Sequence, residues 1–109
     1  MINDAFESDK AILKAEAVEQ LIYIKEAMKI WESPNVLVMT HSPVHPSRHE
    51  SNVLSEKRIQ AVLNFFKEQG LPTELLITKA AGHDIVVNTL DKQERMLLSN
   101  AIEFRLLSK

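Results

Sequence analysis

Apolar residues recur at helical spacing in some stretches of the chain and run together or alternate in others. In residues 54–72, Ile59, Val62, Leu63 and Phe66 make one stripe while Lys57, Gln60, Asn64 and Lys67 lie off it, which predicts an amphipathic helix. Gly70 stands where a left-handed cap is wanted and Pro72 where a helix cannot continue, so Gly70 is expected at positive φ. Residues 14–32 predict an earlier helix from Val18, Leu21, Ile22, Met28 and Trp31, with Ile24 beside them and Glu16, Glu19, Lys25, Glu26 and Lys29 facing water. Ser33-Pro34-Asn35 ends it. The unbroken apolar run Val36–Met39 suits a strand buried on both faces, in the middle of a sheet. Pro43 and Pro46 keep the loop that follows, residues 41–53, from turning helical before Ser47.

Leu75–Ala80 predicts another strand. Gly82-His83-Asp84 then marks a turn, and Val86-Val87-Asn88 leads to a short helix over Asp91–Leu98. Between Ala101 and Leu107, Ile102, Phe104 and Leu106 alternate with Glu103 and Arg105, a half-exposed strand with the apolar set turned to the helices. Near the start, Ala5-Phe6 closes a short first strand. Strands alternating with helices predict a mixed sheet covered by helices on one side.

With 109 residues, the chain makes one domain, 1–109. Hydrophobic residues at 45% and charged residues at 26% are ordinary for a globular chain. A net charge of −2 and few aromatics argue against a nucleic-acid partner. No apolar run approaches a membrane span, and Met1-Ile2-Asn3-Asp4-Ala5-Phe6 is no signal peptide. The absence of Cys leaves no disulfide, thiol chemistry or lipid-acceptor cysteine.

Leu54-Ser55-x-x-Arg58-x-x-x-Val62, then Gly70-x-Pro72, resembles the second helix of the OmpA-like domain, the periplasmic peptidoglycan-associated module of OmpA, Pal and MotB. Pro34-Asn35 before the central strand and Thr40 after it match the family, as does the lead-in Phe6-Glu7-Ser8-Asp9. The resemblance implies an α+β fold in the order β-α-β-α-β-α-β, with a mixed four-stranded sheet. Three departures stand out. His41 occupies the place of the family's acid, and Ser99-Asn100-Ala101 lies over its Asn-Arg-Arg. The 41–53 loop also lacks the usual Gly and is about two residues longer, with Ser51 at an Asn position.

The resemblance implies that an Asp and an Arg at these places hold the zwitterionic end of diaminopimelate in the peptidoglycan stem. A carboxylate takes the ammonium, and a guanidinium takes the carboxylate in a bidentate pair. Losing one partner of such a desolvated pair costs roughly 2–5 kcal/mol. Here the two places hold His41 and Asn100, so the expected site is degenerate. Restoring both charges, His41→Asp with Asn100→Arg, is expected to regain affinity more than additively. The candidate ligand-binding positions implied by the family are Thr40, His41, Ser55, Arg58, Asp84 and Asn100, with Arg95 nearby.

Arg58 has an ordinary reading as a structural or surface charge, and another as half of a compensating site with Asp84. His41, His45 and His49 are four apart, but Pro43 and Pro46 exclude the helix that would let them share a metal, so no metal and no cofactor are expected. Ser42 and Ser55 sit in no nucleophile elbow, and no enzyme is expected.

The reading is a non-catalytic periplasmic cell-envelope module that positions an envelope or secretion-type machine relative to the wall. It would bind peptidoglycan weakly and contact other envelope or secretion-complex proteins, as part of a lipoprotein or larger machine tethered to the outer membrane through a part outside this chain. The alternatives are a domain that still binds peptidoglycan through a rearranged site, and an unrelated small-ligand or metal-binding domain.

Overall fold

The capping box Ser47-Arg48-His49-Glu50 starts the long helix a turn and a half earlier than the apolar stripe does. The computed structural model describes residues 2–30, 35–43, 47–71, 74, 76–88 and 91–107, with the side chains of residues 87, 96, 106 and 107 left aside. In it this helix, α2, spans Arg48–Glu68, with Ser47 extended as N-cap and accepting from the Glu50 N–H. Its buried face is Ser51, Ser55, Arg58, Ile59, Val62 and Phe66. The apolar stripe thus continues toward the N-terminus as a polar one, and that polar half builds the site described below. At the other end Gly70 has φ +79°, and the Leu71 N–H reaches the Phe66 carbonyl at 3.0 Å, which closes the helix as expected. Pro72 lies outside the described residues.

The first helix, α1, spans Ala15–Ile30 and buries Ala17, Leu21, Lys25 and Met28. The face is rotated from the expected one: Ile22 is exposed, and Lys25 is buried instead of facing water. The Lys25 ammonium donates to Gln69 Oε1 at 3.1 Å and lies 3.2 Å from Glu26, so a long stem packs while its head stays paired. Trp31 lies outside the described residues.

Strand β1 (Asn35–Thr40) is central, as its apolar run requires. It pairs in parallel with β2 (Leu76–Ala80) and antiparallel with β3 (Ile102–Leu107), giving the order β2-β1-β3. Register puts Val36, Val38 and Thr40 in line with Leu76, Thr78 and Ala80 on one side and with Phe104 and Ile102 on the other. That face packs on α1 and α2 through Leu21, Met28, Ile59, Val62 and Phe66. The opposite face carries the exposed Ile77, Lys79 and Arg105. Ile102 is buried, Phe104 is half-buried against Phe66, and Glu103 and Arg105 turn away, as period-2 alternation requires. The side chain of Leu106 lies outside the description.

The expected fourth strand is reduced to a bridge. Ile2 and Ile102 exchange two backbone hydrogen bonds at 2.8 and 3.0 Å on the outer side of β3, and Asp4 at φ +53° then turns the chain out of extension. The described sheet therefore has three strands, with the α+β class unchanged. A short helix, α3 (Asp84–Asn88), occupies the segment read as a lead-in. After it, α4 (Lys92–Ser99) begins at Asp91, whose Oδ1 accepts from the Gln93 and Glu94 N–H groups at 2.8 and 3.1 Å.

Candidate functional site

The polar half of the α2 stripe converges on the C-terminal end of β1. Arg58, on the third turn of α2, is fully buried. Its Nε donates to the Lys10 carbonyl at 3.0 Å. Nη1 donates to the carbonyls of His41 and Ser99 at 3.0 and 2.8 Å. Nη2 donates to the Glu7 carbonyl at 3.3 Å and to Asn100 Oδ1 at 3.0 Å. A guanidinium has five N–H donors, so all are taken. Its carbon also sits 4.8 Å from the centre of the Phe6 ring. Burial lowers the Arg58 pKa to about 10, with the Asp9 carboxylate pulling the other way. The group is still cationic at neutral pH.

Beside it, Thr40 and Ser55 lock β1 to α2. Thr40 Oγ1 donates to the Ser55 carbonyl at 2.7 Å, and Ser55 Oγ returns a bond to the Thr40 carbonyl at 2.9 Å. Both side chains are buried.

His41 follows, also fully buried, with Nε2 2.9 Å from Glu103 Oε1. Burial lowers its pKa, although hydrogen bonding to Glu103 and the carboxylate's charge oppose this. The neutral ring with its proton on Nε2 donates to Glu103 and leaves Nδ1 buried without a hydrogen-bond partner among the described residues.

Asn100, the C-cap of α4, gives its side-chain oxygen to Arg58. The two positions where the family resemblance puts ligand charges are thus turned inward, onto groups of the protein itself.

The structure does not bring Asp84 to Arg58. Asp84 is exposed and pairs with Arg48 at the start of α2. Arg95 is half-buried, with Nε unpartnered among the described residues. His83 is buried and meets Ser51 Oγ at 2.5 Å, His49 is exposed, and His45 lies outside the described residues. No cluster of three or more His, Cys, Asp or Glu side chains that could hold a metal occurs among the described residues. The turn carrying His83 is fastened to β1 by Ala81 N–H to the Thr40 carbonyl and Ser42 N–H to the Gly82 carbonyl, each at 2.9 Å.

Glu103 and the carbonyls of Glu7, Lys10 and Ser99 escaped sequence reasoning. The first reads as the outward residue of an alternating strand, and backbone acceptors leave no mark in a sequence. A signal for Glu103 was available in its place, four residues after Ser99 and opposite the end of the central strand.

The OmpA family profile matches residues 5–96. The fold is similar to the C-terminal domain of Helicobacter pylori MotB, with a TM-score of 0.80 at 14% identity over 100% of this chain and 86% of that one. An outer membrane protein of Borrelia burgdorferi superposes with a TM-score of 0.66 at 19% identity, covering 77% of this chain and 75% of that one. The OmpA-like domain of FopA1 from Francisella tularensis gives a TM-score of 0.70 at 26% identity, covering 97% of this chain and 72% of that one. A comparison with curated proteins gives no match.

Proposed function

The chain belongs to the OmpA family, and from that premise we propose a non-catalytic, periplasmic envelope domain whose ancestral diaminopimelate pocket has become an internal joint. The observation that carries this is Arg58: each of its five N–H donors is held by the protein, one of them by Asn100. His41 adds to it, being buried against Glu103 and lacking the negative charge that an ammonium needs. A zwitterion entering here would be desolvated against a guanidinium whose N–H donors are already engaged and a carboxylate, that of Glu103, already paired with His41. The working surface is then protein-facing, and the domain's task is to place an envelope or secretion-type machine near the wall, the tether to the outer membrane lying elsewhere in the assembly.

Co-sedimentation with purified peptidoglycan sacculi tests this, beside a family member that keeps the Asp and Arg. The expected result is retention at least tenfold below that reference. Retention equal to the reference would overturn the proposal and favour peptidoglycan binding through a rearranged site.

A further inference from the structure

β2 is an edge strand: among the described residues its only sheet neighbour is β1. In a parallel pair, alternate residues turn both N–H and C=O to one neighbour, and the residues between turn theirs to the other side. A strand of five residues therefore presents about two or three residues' worth of backbone donors and acceptors outward. Beside this edge lies a groove of about 540 Å³. Its floor is Thr78 and Ala80 of β2, and its wall is Val53, Glu56, Lys57 and Gln60 of α2, one helical face at i, i+3, i+4 and i+7. A second trough of about 360 Å³ shares Val53 and Lys57 with the first and is lined also by Glu50 and Asp9. Val53 and Lys57 line both, so the groove along the strand edge and the trough beside the Glu50 and Asp9 carboxylates lie against the same stretch of α2.

We propose that the groove beside β2 receives an extended segment of a partner protein, which adds to the sheet as a strand antiparallel to β2 and brings a basic residue at its N-terminal end. The backbone edge selects an extended chain, because main-chain hydrogen bonds need no particular side chains. The length fits about four to five residues at ~3.3 Å each along Leu76–Ala80. Val53, Ile59 and Ala80 favour small apolar side chains facing the groove. Charge fixes the direction: Glu50 and Glu56 outnumber Lys57 around the Val53 end, which α2, crossing back over the sheet, sets beside the C-terminal end of β2. An antiparallel strand begins there. The proposal stands on the free edge and the groove beside it, independently of whether the diaminopimelate pocket is lost.

The test is a titration of the ¹⁵N-labelled domain with the peptide acetyl-Lys-Thr-Val-Thr-Val-Thr-amide, followed by amide chemical shifts. Saturable shifts are expected in Leu76–Ala80 and along Val53–Gln60. The same peptide N-methylated at alternate residues should bind at least tenfold more weakly, because it lacks the donors the edge needs. Gln60→Trp, on the exposed wall, should abolish the shifts while leaving the melting temperature unchanged. An absence of saturable shifts up to millimolar peptide would overturn the proposal, as would equal binding of the N-methylated form. So would broadening of the β2 amides that grows with protein concentration in the absence of peptide, which would assign the edge to a second copy of this chain.

Discussion

A buried guanidinium held by neutral acceptors depends on all of them together, because removing the fork takes a donor from four carbonyls at once, of which that of Glu7 keeps the Lys10 N–H. Lysine carries the same charge but cannot reach the same acceptors, so Arg58→Lys should destabilise the domain by about 3 kcal/mol or more, read from urea unfolding. A loss below 1 kcal/mol would mean that the joint is not structural. His41 gives the residue scale a pH signature. Its folded pKa lies below the ordinary 6.5, so below that value the unfolded chain binds more protons than the folded one. The contribution of His41 is therefore complete above pH 6.5 and is lost progressively as pH falls below it. His41→Asn should remove this component, so the stability difference between parent and variant should slope with pH below 6.5 and flatten above it.

At the scale of elements, the periodicity of apolar positions located α1, α2 and the three strands, because burial of an apolar stripe or alternating face is what holds those elements in place, but not the short α3 with its buried Val86. It missed what polar groups build. The first turn and a half of α2 is set by the Ser47–Glu50 capping box and by Ser51, which is buried yet polar. The buried face of α1 includes Lys25, which a hydropathy pattern places in water. The site was half legible: Thr40, His41, Ser55, Arg58 and Asn100 could be named from the sequence and do come together, while the receivers of Arg58 are mostly carbonyls. Two glycines separate the conformational from the steric contribution here. Gly70→Ala should cost about 1 kcal/mol, since its φ is left-handed and a β-carbon there meets open space. Gly82→Ala should cost more, because its φ is also positive and the β-carbon would run into the Asn52 side chain. Equal losses in thermal unfolding would contradict the crowding at Gly82.

For the whole molecule, the joint around Arg58 ties the N-terminal segment, the end of β1 and the α4–β3 junction to α2. This changes the outcome expected from restoring the family's charges. His41→Asp would set a second carboxylate against Glu103, and Asn100→Arg would replace an acceptor of Arg58 with a second guanidinium. Desolvated like charges in contact cost on the order of several kcal/mol. The double variant should therefore melt well below the parent and gain no affinity for diaminopimelate by calorimetry, in place of the more-than-additive gain that sequence reasoning alone suggests. A stable double variant with restored binding would show that the pocket is still open.

The most direct measurement follows the Arg58 Nε–H and the Asn100 side-chain resonances during titration with diaminopimelate. If the pocket has become an internal joint, neither signal moves at concentrations that saturate a family member with the Asp and Arg intact, and the Arg58 Nε–H stays protected from solvent exchange throughout. A saturable shift of the Arg58 signal at sub-millimolar ligand would contradict the account at its centre.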